Sequence, residues 1–151
     1  MPVPPGRVMS EYPSTTYAEP SYAFGSITLR ASAALANTTS STAGSSQSNY
    51  VGARGVVLYS DITAAGTSGT GALTIRIQEY NELGDVWVDS TGAAFAATTA
   101  TGQRSLYLYP GIAETANTEV SRAVPPIWRI QSDASSSAGT FTFAVSARYL
   151  A

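Results

Sequence analysis

Cysteine, histidine and lysine are all absent from the sequence, and only 12% of its residues are charged. Without cysteine there is no disulfide framework and no thiolate chemistry. Without histidine the chain lacks the commonest acid–base side chain near neutral pH, the Ser-His-Asp and Cys-His arrangements, and most zinc sites. Without lysine no phosphate loop can be completed. All eight basic residues are Arg, scattered with no run, so the electrostatic footprint of a phosphate backbone is missing and direct nucleic-acid binding is not expected. No apolar run approaches the length of a membrane-spanning helix, so no membrane partner is expected. The start, Met1-Pro-Val-Pro-Pro-Gly-Arg7, lacks the basic and apolar regions of a signal peptide. The expectation is a protein made in the cytoplasm. The surface of a comfortable soluble monomer is about 25–35% charged. This chain cannot supply that, which points to self-association or to a surface covered by other subunits.

What the sequence does have is alternation. Leu73, Ile75 and Ile77 fall on one face of an extended segment, with Thr74, Arg76 and Gln78 on the other. Asn81-Glu-Leu-Gly-Asp85 carries turn chemistry, and Val86 and Val88 then resume on one face with Trp87 opposite, so a β-hairpin is predicted here. Further strands are expected at 53–61, 93–98, 103–109, 127–131 and 140–149, with 26–30 as an additional one. Single helical turns at 33–36 and 113–116 are too short to matter. The expected core is Val56, Leu58, Leu73, Ile75, Ile77, Val86, Val88, Leu106, Leu108, Phe141, Phe143 and Val145. The fold class is therefore all-β: an antiparallel β-sandwich, jelly-roll or immunoglobulin-like, the choice left open, with the Cys-Trp-Cys spacing of a true immunoglobulin domain missing.

Residues 1–25 read as an extended arm. Pro2, Pro4, Pro5, Pro13 and Pro20 hold the backbone open, while Tyr12, Tyr17, Tyr22 and Phe24 are spaced rings that gain from burial and would anchor the arm on a partner. A disordered tail, or an arm packed on its own domain, are the alternatives. Residues 26–49 hold the additional strand and a Ser/Thr-rich linker or surface loop. Residues 50–151 make the sandwich domain.

Candidate chemistry is thin. Glu79, Glu82, Asp85 and Asp89 gather around the hairpin, and paired carboxylates can hydrolyse glycosides or hold Ca²⁺. Acidic residues in a solvent-facing turn are ordinary, however, and the calcium-loop spacing is missing. No enzymatic activity, cofactor or metal is expected. Trp87, Tyr107, Tyr109 and Trp128 are the candidate exposed-face aromatics. They either stack on a flat partner such as a sugar or lie buried because both faces of their strands are covered.

Arg54-Gly-Val-Val-Leu-Tyr59, Leu73-Thr-Ile-Arg-Ile-Gln78, Leu106-Tyr-Leu-Tyr-Pro-Gly111, Pro125-Pro-Ile-Trp-Arg129 and the Pro/Tyr arm together resemble the small accessory β-proteins of tailed-bacteriophage virions. The likeness is one of pattern over residues 50–150. It implies a capsid decoration (cement) protein, homotrimeric, bound to the major capsid protein and to copies of itself on the capsid surface of the virion. A neck, tail or fibre-associated component is the alternative within that class. A carbohydrate-binding β-sandwich module is the alternative outside it.

Overall fold

The computed structural model describes residues 26–35, 41–49, 53–66, 71–135 and 139–151. The arm anchors Tyr12, Tyr17, Tyr22 and Phe24 lie outside the described residues. Within them the chain is all-β, with no helix. In order the strands are β1 (Ser26–Leu35), β2 (Ser41–Ala43), β3 (Gln47–Ser48), β4 (Gly55–Ala64), β5 (Leu73–Asn81), β6 (Val86–Ala94), β7 (Gly102–Leu108), β8 (Glu119–Val120), β9 (Ile127–Ala134) and β10 (Phe141–Leu150). They form two sheets. Sheet A runs β1-β10-β4-β7-β8, and sheet B runs β2-β9-β5-β6 with β3 also on β9. All pairs are antiparallel except β7–β8.

The antiparallel pairs are nested. β5–β6 lies within β4–β7, that pair within β2/β3–β9, and that within β1–β10, with successive pairs in opposite sheets. β2 and β3 pair with opposite ends of β9 and act as one interrupted edge strand. Between them the Gly44 amide donates to the Ile130 carbonyl at 2.9 Å. A side chain at Gly44 would strike Ile130 Cγ1 at 2.7 Å, so glycine lets the break hug its neighbour. Two strands thus fall in the Ser/Thr-rich stretch read as a loop. Their side chains are too small and polar to show a buried face.

The inner faces of both sheets build one core. Phe141, Phe143 and Val145 of β10, Val56 and Leu58 of β4, and Leu106 and Leu108 of β7 meet Leu73, Ile75 and Ile77 of β5, and all ten are buried as expected. Two expected members are not. Val86 is 48% exposed and Val88 is only half-buried. They pair with Asn81 and Glu79 at the far end of the hairpin, and there Glu79 meets the Arg122 guanidinium at 2.9 Å instead of apolar chains. The hairpin has run past the part of the facing sheet that supplies a core.

Of the separate strand expected at 93–98, Ala93 and Ala94 are the end of β6 and the remaining residues follow it. Residues 90–93, with Gly92 at φ 75°, bulge away between the Gln78–Asp89 and Arg76–Ala94 pairs. The chain then returns to β5 through Phe95 N to Ile75 O at 2.9 Å and paired Leu73–Thr98 bonds. Residues 33–35 and 113–116 form no helical turn, and residue 36 lies outside the described residues. Ala33, Ala34 and Leu35 belong to β1, and Thr115 bridges to Glu119.

Trp128 of β9 is fully buried, and its indole N–H donates to the Tyr149 hydroxyl of β10 at 3.2 Å. Tyr149 in turn donates to the Ser48 carbonyl of β3 at 2.8 Å, and the two rings meet edge to face, 6.2 Å apart. A large ring with one polar edge is buried cheaply only when that edge finds a partner. This chain of bonds fixes one sheet on the other.

Candidate functional site

Alternation leaves each sheet one outward face, and the two outward faces differ in kind. On sheet B, Arg76, Gln78 and Tyr80 of β5 point out. Register places Arg129 beside Gln78, Gln131 beside Arg76, Asp89 beside Gln78 and Trp87 beside Tyr80. These side chains satisfy one another. Arg76 Nε lies 3.1 Å from Asp89 Oδ1, and its Nη2 lies 2.5 Å from Asp133 Oδ2. The Gln78 amide donates to Asp89 at 2.9 Å, and its carbonyl accepts from Arg129 Nε at 3.0 Å. The Arg129 guanidinium lies 4.2 Å over the Trp87 ring, which also meets Tyr80 at 5.2 Å. The Tyr80 hydroxyl donates to the Asp85 carboxylate. That bond, then desolvation and the negative charges of Asp85 and Glu82, raise the Tyr80 phenol above its ordinary value.

Beyond this network lies the hairpin tip. The Asn81 side-chain oxygen accepts from the Leu83 and Gly84 amides, and Asp85 takes a left-handed φ of 51°. Leu83, at the apex, is fully exposed, and Val86 flanks it. The four acidic residues do not converge. Glu79 faces inward on Arg122, Asp85 holds Tyr80, Asp89 holds Arg76 and Gln78, and Glu82 is exposed in the turn. Among the described residues no three acidic groups gather where an ion could be held.

On sheet A the outward face carries a shallow groove of about 660 Å³. Register generates it from two adjacent cross-strand rows. Thr28, Ser146, Tyr59 and Ser105 form one row over β1, β10, β4 and β7; Ala144, Asp61 and Gln103 form the next. β1 is the edge strand and is irregular twice, between Thr28 and Arg30 and between Arg30 and Ala33, so residues 30–32 stand as a rim. The floor is small side chains, Ala144 and Ser146. Arg30 is turned away: its guanidinium lies 4.4 Å over the Phe143 ring, and its Nη2 is 3.4 Å from the Ala33 and Ala34 carbonyls. Burial lowers its pKa.

The candidate exposed aromatics separate accordingly. Trp128 is not on an exposed face. It shares the inward side of β9 with Ile130 and lies in the core, because Tyr149 satisfies its N–H. Trp87 is on the outward face of sheet B, half-buried under Arg129. Tyr107 faces outward on sheet A beside Val57, half-buried. Tyr109 follows β7 and is structural. Its hydroxyl donates to the Ala151 carbonyl at 3.1 Å, and its ring occupies the space where Gly55 would carry a side chain, 2.5 Å from the Cβ position. Tyr59, Asp61, Gln103 and Ser105 were not singled out from sequence. The alternation of β4, with Val56 and Leu58 inward, already put Tyr59 and Asp61 outside together. Only the register of β7 and β10 shows that they share a groove.

Comparison with protein-family models, with curated proteins and with solved structures finds no match to this chain.

Proposed function

We propose that the chain is a structural subunit of a tailed-bacteriophage particle, a capsid decoration protein that seats on the major capsid lattice through the outer face of sheet B and sits at the capsid surface beside copies of itself. We infer further that the two sheets form a jelly roll. The nested pairing β1–β10, β2/β3–β9, β4–β7 and β5–β6, laid alternately in two sheets, is what a folded-over double ribbon of eight strands produces, with β8 as a short addition. Jelly rolls serve as viral capsid domains and as lectins alike, so the fold only sets the prior.

The observation that carries the reading is the β5–β6 hairpin. Its fully exposed Leu83 and flanking Val86 continue into the Trp87–Arg129–Tyr80 stack. Trp, Tyr and Arg dominate the energetics of protein interfaces. Here the Tyr80 hydroxyl and Arg129 Nε are already paired within the subunit, so covering those two groups with a partner breaks few bonds to water. An exposed leucine at an ordered turn fits a pocket on another protein better than it fits water.

The test is mass spectrometry of purified particles of the phage that encodes the chain. A copy number comparable with the major capsid protein is expected. Copies sufficient only for a ring would move the subunit to the neck or tail, and absence from the particle would sink the reading. Added to particles lacking the native copy, wild-type protein should restore occupancy and Leu83→Asp should not.

A further inference from the structure

We propose that the groove on the outer face of sheet A is a binding site for neutral oligosaccharide. It is a second binding activity on the face opposite the hairpin network, and it stands whether or not that network seats on a capsid.

Several polar groups of the groove have no hydrogen-bond partner among the described residues. Tyr59 is 44% exposed, and its hydroxyl makes no hydrogen bond with any described residue. The same holds for the Asp61 carboxylate, the Gln103 amide, and the Ser105 and Ser146 hydroxyls. The other charged lining groups are occupied: Arg30 by Phe143 and two carbonyls, and Arg104 by the Ala96 carbonyl at 2.9 Å and the Thr98 hydroxyl at 2.5 Å. Besides them the space is lined by the Tyr59 ring, the Asp61 carboxylate, the Gln103 amide and the hydroxyls of Thr28, Ser32, Ser105 and Ser146, with Ala144 in the floor.

Those groups match a pyranose. A sugar offers a face of C–H groups, which packs on an aromatic ring, and an edge of adjacent hydroxyls. Each hydroxyl both donates and accepts. A carboxylate accepts two such donors, and a primary amide meets a neighbouring pair by donating to one oxygen and accepting from the other. On β4, Tyr59 and Asp61 are two apart on the same side of the strand, so ring and acceptor sit one pleat from each other. Gln103 is the cross-strand partner of Asp61, and Ser105 that of Tyr59. The volume lies within the range of about 300–1,000 Å³ typical of small-ligand clefts. The unpaired carboxylate disfavours sialylated or phosphorylated glycans. A basic peptide would find a single acidic group in a lining that also carries Arg30 and Arg104, too little negative charge to favour it over a saccharide.

The experiment is a backbone amide NMR titration of the full-length protein. The probes are neutral tetrasaccharides of glucose, mannose, galactose and N-acetylglucosamine, each tried separately, with N-acetyl-arginine amide as the cationic probe. At least one saccharide should give saturable shifts at Tyr59, Ser60, Asp61, Gln103 and Ser105 while Trp87 and Tyr80 stay still. Tyr59→Ala should weaken that binding at least about tenfold. Tyr59→Phe, which keeps the ring, should retain most of it, and Asp61→Asn should fall between. Unchanged circular dichroism will show that the variants fold. No saturable shift at these amides with any saccharide, shifts centred on Trp87, or shifts produced by the arginine probe alone would each overturn the proposal. Loss of capsid occupancy in Leu83→Asp with saccharide binding intact would separate this site from the attachment surface.

Discussion

The outward faces of the two sheets are built from the same kinds of residue and put them to opposite uses. Sheet B spends its polar groups on itself: Arg76, Gln78, Asp89, Arg129 and Asp133 form a closed set of contacts that also pins Trp87. Sheet A leaves Tyr59, Asp61 and Gln103 without hydrogen-bond partners among the described residues, over a floor of small side chains. A face that is internally satisfied is rigid and loses little when another protein covers it. A face with open donors and acceptors gains when a ligand supplies the missing partners. The contrast separates a surface for lying against something from a surface for holding something, and neither kind announces itself by residue type alone.

The contrast depends first on the two sheets keeping a fixed relation, and the largest effect comes from breaking it. Trp128→Ala removes a fully buried indole together with the hydrogen bond it donates to the Tyr149 hydroxyl. Denaturant titration should show a loss of about 3–5 kcal/mol, and both outer surfaces should fail with it. A loss below about 1 kcal/mol would mean that the core has little use for this ring. Trp87→Ala is the informative partner. It should cost roughly 1 kcal/mol, the scale of an exposed cation–π contact with some lost packing, yet should reduce capsid occupancy strongly. Equal destabilisation by the two substitutions would erase the distinction between inner and outer tryptophan.

A smaller effect sharpens the comparison between the faces. Asp89→Ala removes the acceptor of the Gln78 amide and one of the two carboxylates paired with Arg76, although Arg76 keeps Asp133. These groups are partly exposed and screened, so about 0.5–1 kcal/mol is expected in low salt, shrinking as salt is raised. Asp61→Ala on the other sheet removes a carboxylate that pairs with none of the described residues, and should change stability by less than about 0.5 kcal/mol. Chemical unfolding of both variants at two salt concentrations checks the pair. A cost at Asp61 equal to that at Asp89 would show that the groove's polar groups are structural.

How much of this was legible in the sequence follows from what each feature depends on. β4, β5, β7 and β10 alternate cleanly, and their ten core residues could be read one by one. Val86 and Val88 alternate just as well, but burial also needs something opposite, and the hairpin overhangs its facing sheet. β2 and β3 are strands because β9 offers an edge, which Ser, Thr and Gln side chains do not advertise. Trp128 stood among the candidate exposed-face aromatics, with burial on a covered face as the alternative, and local sequence does not show what meets its N–H. Tyr149, distant in sequence and two residues from the end of the chain, satisfies it. The groove is a property of register across four strands, which one strand's pattern cannot contain. The hairpin network is partly of that kind too: Gln78 and Asp89 meet across a tight turn, but Arg129 arrives from β9.

The subtlest distinction lies at the end of the sheet B network, where Tyr80 donates to Asp85 and touches the Trp87 ring. The phenol's pKa is raised above 10.0, first by that hydrogen bond and then by desolvation and the Asp85 and Glu82 charges. A folded-state value above the unfolded one means that the contribution of this contact is fully present below about pH 10, where the phenol is neutral in both states. It is lost as pH rises through the folded value, since a phenolate no longer donates and is repelled by its two acidic neighbours. Subtracting the alkaline absorbance titration of Tyr80→Phe from that of the wild type isolates this ring among the nine tyrosines. Its midpoint should lie above 10, and the Trp87 fluorescence should shift over the same interval. Asp85→Asn keeps a residue that tolerates the left-handed φ of 51° and removes the nearer charge, so the midpoint should move back toward 10. A Tyr80 midpoint at or below 10 in the wild type would mean that the hydroxyl faces water and that the network ends at Trp87.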